Sequence, residues 1–274
     1  MSNDITKRTD PAAPERQQAE DPASRLKADL MTDALDRVFG KDDKPPVPSG
    51  TARVILVHAN HGRDPHWDAR AQDLQCRMFQ AVGGNMQMKF AHYGPDNVEG
   101  VRRFRITTAW YSDPDSVAGV MGRTGCDCGC YVYIRSALGQ ALEESAKKPV
   151  QAVVIMVDRH HDDDERLLEA AKFANELRRA GTKVFLIQQG YDPTTTHRLK
   201  WLVRIAGAVH FQFDPRTQER EFAEMLETIS AFAAGGEEAV KMRGGEAAAL
   251  LLQHLQQQPM PILKERDHEQ VERR

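Results

Sequence analysis

The sequence predicts an α/β domain of doubly wound type: a mostly parallel sheet with helices on both faces, plus terminal helices. Three observations predict it. Residues 53–57, 150–157 and 183–187 are short apolar runs, as expected of central parallel strands buried on both faces. Amphipathic helical stretches alternate with these runs. Helix-ending signals punctuate them, such as Asp113-Pro114-Asp115 at a start and Gly181 at a stop.

The elements follow in order. Residues 1–22 are polar and rich in Asp, Gln, Arg and Pro, and are expected as a disordered tail. Within 23–50, Leu26, Leu30, Ala34 and Val38 sit at helical spacing, and the charged, proline-rich end reads as a linker. A strand at 53–57 precedes a helix from about Pro65, with Trp67, Ala71, Leu74, Met78 and Phe79 on one face. Met86, Met88 and Phe90 alternate with Gln87 and Lys89, predicting a strand over 86–92. Another strand is expected at 104–110, then a short helix capped by Asp113. A helix over 131–146 carries Ile134, Leu138 and Leu142. Beyond the strand at 150–157 come a helix at 165–179, a strand at 183–187, a helix at 196–206 and a strand at 209–213. A helix at 222–232 stops at Gly235-Gly236, and a last helix spans 246–256. Trp67 and Trp110 read as core rather than as ligand platforms. The expected organisation is a tail (1–22), a helix with linker (23–50), an α/β domain (51–235) and a helical extension with a charged tail (236–274).

Composition narrows the function. A formal net charge of −3 over 274 residues implies no general attraction to nucleic acid or to membranes. No apolar stretch is long enough for a membrane span, and no apolar segment follows Met1 to suggest a secretory signal. The four cysteines then read as thiols in a reducing compartment, and the expectation is a soluble cytoplasmic protein. No catalytic residues are assigned. Ser136 and Ser145 lack a Gly-x-Ser-x-Gly setting, no phosphate-binding Gly-Lys loop exists, and Asp162, Asp163 and Asp164 are too clustered for separate acid and base roles.

In a parallel sheet three segments would gather at the carboxyl edge: His58-Ala59-Asn60-His61-Gly62, Gly125-Cys126-Asp127-Cys128-Gly129-Cys130 and Asp158-Arg159-His160-His161-Asp162. From Arg53 to Asp214 the chain resembles a von Willebrand factor A-like (VWA-like) domain, and is most similar to a bacterial group of such proteins. The resemblance rests on the first strand with Arg63-Asp64-Pro65-His66-Trp67-Asp68, on Met156-Val157-Asp158, on Gly181-Thr182-Lys183-Val184-Phe185-Leu186-Ile187-Gln188-Gln189-Gly190-Tyr191-Asp192-Pro193, and on residues 206–214. The family holds Mg²⁺ through an Asp-x-Ser-x-Ser loop, a Thr and a second Asp. The resemblance puts His58 at the first Asp, Asn60 and Gly62 at the two Ser, Val132 near the Thr, and Asp158 at the second Asp. Hard oxygen ligands are then missing from the first loop, and a standard Mg²⁺ site is not expected.

Two readings of the replacements stay open. His58, His61, His160 and His161, with Cys126, Cys128 and Cys130, are soft donors suited to Zn²⁺ or another transition metal, or to thiol redox chemistry with Arg123 and Arg159 nearby. Alternatively the histidines are hydrogen-bonded loop residues and the cysteines pack. The Cys-x-Cys-x-Cys spacing is not a common zinc spacing. Residues 160–164 are favoured as an acidic helix start over a cation-attracting patch. The leading expectation is a non-enzymatic protein-interaction module without a cofactor, with a protein partner at this edge. Soft-metal or redox response is the alternative. The oligomeric state is not read from the sequence.

Overall fold

The computed structural model describes residues 51–58, 67–95, 102–107, 109–123, 131–157, 159–160, 162–214 and 217–256. The tail, helix and linker expected at 1–50 lie outside the described residues, as does the charged end after 256.

The main sheet has six strands: β1 (Ala52–His58), β2 (Met86–Pro95), β3 (Arg102–Ile106), β5 (Ala152–Val157), β7 (Lys183–Gln189) and β8 (Val209–Phe213). Their order is β3-β2-β1-β5-β7-β8. Five run parallel, and β3 lies antiparallel to β2 at one edge. A separate parallel pair joins β4 (Tyr131–Val132) to β6 (Arg159–His160). The helices are α1 (Trp67–Gln80), α2 (Pro114–Arg123), α3 (Ile134–Lys147), α4 (Asp164–Arg179), α5 (Pro193–Ala206), α6 (Glu219–Arg243) and α7 (Gly245–Leu255).

Side-chain alternation along the strands builds two cores. Val54 and Leu56 of β1, with Val154 and Met156 of β5, face α1, α2, α6 and α7. Ile55 and Val57, with Val153, Ile155 and Val157, face α3, α4 and α5. Both rows of the central strands are fully buried, so period-two polarity never appears in them and the sequence reads as a continuous apolar run. Each such Val or Ile contributes about 2 kcal/mol by leaving water.

Helix starts are fixed by side-chain caps. Asp113 accepts the N–H of Ser116 at 2.8 Å, Asp163 that of Arg166 at 2.9 Å, and Asp192 that of Thr195 at 2.8 Å. Pro193 follows Asp192 as the first residue of α5, so this helix begins three residues before the expected Thr196.

Other boundaries also depart from the sequence expectation. The helix expected from 131 begins at Ile134, because Tyr131 and Val132 pair with Arg159 and His160. The strand expected at 104–110 ends at Ile106; Thr107 Oγ1 accepts the Phe90 N–H, and Tyr111 forms a lone bridge to Met88. Trp110 is half-buried and packs against the core beneath α3, α4 and α5, with the Arg53 guanidinium stacked 3.7 Å from its ring centre. The stop at Gly235-Gly236 is a sharp break within α6, where Gly236 has φ 66° and ψ −156°. The chain then folds back. Arg243 hydrogen-bonds Glu227, sixteen residues earlier, whereas a straight helix would hold them about 24 Å apart. Val240, Ala248 and Leu251 thereby complete the same core as β1 and β5.

Candidate functional site at the carboxyl edge of the sheet

From β1 the chain winds one way to β2, and from β5 the other way to β7 and β8. The order reverses between β1 and β5, which is the switch point where open α/β sheets bind ligands. His58 ends β1 in register with His92 of β2 and Met156 of β5. One residue beyond β5, β6 pairs with β4, setting Val132 beside His160. The backbone therefore brings His58, Val132 and His160 to the carboxyl edge. Asn60, His61, Gly62, Cys126, Cys128, Cys130, Asp158 and His161 lie outside the described residues.

Asp162 fastens this edge. It is 1 % exposed, and its Oδ2 accepts the Ile134 N–H at 2.7 Å. Tyr133, at the cap position of α3, provides no cap of its own. Asp162 thus caps α3 from across the fold, while Asp163 caps α4, the helix that follows it in sequence. Arg198 of α5 donates to the Asp162 carbonyl at 2.9 Å and reaches Asp164 at 3.3 Å, tying α5 to the same corner. Burial pushes the Asp162 carboxyl above its usual range, against the opposing pull of the α3 amides and Arg166. Its Oδ1 has no hydrogen-bond partner among the described residues.

A second polar group lies further along the edge. Gln188 Oε1 accepts the Thr196 hydroxyl at 3.0 Å and the His210 Nε2–H at 3.2 Å, and Gln188 Nε2 donates to the Asp192 carbonyl at 3.2 Å. Gln188 and His210 are buried, and burial, aided by Lys200 and His254, pushes His210 down to about 4. The sequence reading missed both residues. A Gln inside an apolar strand run was the available signal, since a buried amide needs partners.

The Asp162 carboxylate sits at a helix N-terminus, whose positive end disfavours a cation beside it. Among the described residues no group of three or more His, Cys, Asp or Glu could hold a metal ion. No described helix is long and apolar enough to cross a membrane.

This strand order defines a doubly wound, mostly parallel α/β sheet. Similar solved structures include a von Willebrand factor type A protein from Catenulispora acidiphila, at 13 % identity and TM-score 0.46, covering 67 % of this chain and 43 % of that one. The VWA domain of SpRpn10 is similar at 14 % identity and TM-score 0.46, covering 67 % and 97 %. The human COPII-coat protein Sec24c is similar at 10 % identity and TM-score 0.44, covering 70 % and 34 %. The chain thus spans less than half the length of the first and third. The likeness is one of fold alone. No protein-family model and no curated protein matches the sequence.

Proposed function

We propose that this chain is a non-enzymatic protein-interaction module of VWA-like type that works in the cytoplasm without Mg²⁺ and engages its partner at the β1–β5 switch point. The observation that carries this reading is the pairing of Val132 with His160 beside the end of β1. It gathers the ends of three loops on a rigid sheet and supplies no hard oxygen ligands from the matched positions His58 and Val132. Rigid strands that present variable loops suit recognition. The test is capture of partners from the native host by the whole chain and by a variant with His58, His160 and His161 changed to Ala. Loss of capture with unchanged melting supports the reading. Capture that survives this change but is lost on deleting residues after Gly245 moves the interface to the C-terminal helix. Calorimetric titration with Mg²⁺ should show no saturable heat. A midpoint below about 100 μM, ordinary for a hard-cation site, would overturn the loss of that site.

A soft-metal or thiol-redox protein is the second reading. It is favoured by the same pair: Tyr131, one residue after Cys130, lies in register with Arg159, one residue before His160. Elemental measurement on the untagged protein separates the two. Near-stoichiometric zinc, copper or iron would select this reading.

A further inference from the structure

We propose that the free edge of β8 takes up an extended acidic segment of a partner protein as a seventh strand of the sheet. This surface is separate from the switch point, since β5 and β7 lie between them.

The phase of the edge follows from one bond. Gly190 N–H donates to the Phe213 carbonyl at 2.8 Å, so Phe213 turns its backbone groups towards β7. In a strand the N–H and C=O of one residue point the same way and those of its neighbours point oppositely. Val209 and Phe211 therefore also face β7, and His210 and Gln212 face away from it. The next outward position, Asp214, is closed by its N–H donating to Gln218 Oε1 at 2.9 Å. The outward backbone groups of His210 and Gln212 have no partner among the described residues. Nothing in Val-His-Phe-Gln-Phe blunts this edge: the strand has no Lys, no Asp or Glu and no Pro.

Charge selects the occupant. A shallow groove runs beside β8, lined by Tyr191, Pro193, Thr196, His197, Lys200 and Gln212. α5 carries no acidic residue, and His197, Lys200 and Arg204 fall three and four apart along one stripe. Lys200 and Arg204 are exposed, with no ion-pair partner among the described residues. A second copy of this chain added antiparallel at β8 would set α5 against its own counterpart, cation against cation. An acidic strand instead meets these charges. On the opposite face of the sheet Phe211 touches the His254 ring at 4.9 Å, and Leu250 is exposed one turn earlier on α7. The segment that fits alternates, with acidic side chains towards α5 and apolar ones towards α7.

The probe is an acetylated, fluorescein-labelled peptide of alternating Val and Glu, about eight residues long to span a strand of ordinary length. Anisotropy with the full chain should show saturable binding. Changing Lys200→Glu and Arg204→Glu together should weaken it at least about tenfold. N-methylation of the peptide amides that would face β8 should weaken it as much. Absence of saturable binding overturns the proposal, and so does equal binding of the N-methylated peptide, which would mean charge attraction without strand addition. Gln212→Pro removes one outward N–H and the Gln212 Nε2–H bond to the Gly190 carbonyl but leaves the backbone bonds to β7, so it should lose binding while still folding. If that variant fails to fold, the N-methylated peptide decides alone. A concentration-dependent dimer seen by sedimentation velocity would assign the edge to a second copy and overturn the proposal.

Discussion

The Asp162 carboxylate caps a helix that began 28 residues earlier, accepting the Ile134 N–H at 2.7 Å from a fully buried position. Asp162→Ala should lower stability by about 2 kcal/mol, combining a lost cap with an orphaned buried amide. Asp162→Asn should cost less, because its amide oxygen can still accept. Urea denaturation of the three proteins measures this. A loss under about 0.5 kcal/mol for the Ala variant would show that the α3 amide finds another acceptor.

His210 sets an acid limit on stability. Its folded value of about 4 lies below the ordinary 6.5, so the unfolded chain takes up a proton that the native one refuses. A depressed folded value contributes stability that is present above pH 6.5 and is lost as pH falls through about 4. The loss should approach roughly 3 kcal/mol across this window. In His210→Gln the limb between those pH values should flatten. Parallel stability curves for the two proteins would rule His210 out as its source.

Lys89 and Glu144 form a buried ion pair at 2.7 Å, with side chains 6 % and 9 % exposed. Burial alone would raise the Glu144 carboxyl. Hydrogen bonds and charge from Lys147 and Lys89 outweigh it and hold the group below its usual range. Its stabilisation is therefore present above the ordinary carboxylate value and fades as pH falls through the lower folded one. Lys89→Met should cost about 3 kcal/mol, since it leaves a buried charge short of a partner. The double change Lys89→Met, Glu144→Leu should cost less than the single one. Equal or greater cost in the double variant would mean that the pair itself stabilises the fold.

Gly236 turns α6 back on itself at φ 66°, a conformation that costs a residue with a Cβ about 1–2 kcal/mol. Gly236→Ala should lose that amount, and it should also loosen Val240 and Leu251, which lie beyond the turn in the core. Hydrogen exchange along α7 should report the loosening. Unchanged protection there would mean that α7 docks independently of the turn.

The sequence made the central strands legible because both of their faces are buried, so β1, β5 and β7 announce themselves as apolar runs. It made the starts of α2 and α4 legible because Asp113 and Asp163 cap the residues that follow them, whereas the Asp192 cap of α5 was missed. It did not reveal β4, because Tyr131 and Val132 are extended only through pairing with Arg159 and His160, and no local signal encodes that. Nor did it single out Asp162 from its acidic neighbours, since the amide it caps lies 28 residues away. The antiparallel course of β3 was equally hidden, for strand direction is set by the connection rather than by the strand. Of the loops expected to gather at the carboxyl edge, the described residues place only His58, Val132 and His160 there. The ligand residues expected there lie mostly outside the described residues.

The central position of β1 has a consequence for synthesis. One of its neighbours, β2, follows it closely, but the other arrives late: the Arg53 N–H binds Gln151, 98 residues further on. At ribosomal speed that interval lasts about 5–20 s, during which one flank of a largely apolar strand emerges without its neighbour. The nascent chain must either hold β1 and β2 as an open ribbon or be shielded until β5 is translated. The growing polypeptide is therefore most vulnerable to misassociation between the completion of β2 and the appearance of β5.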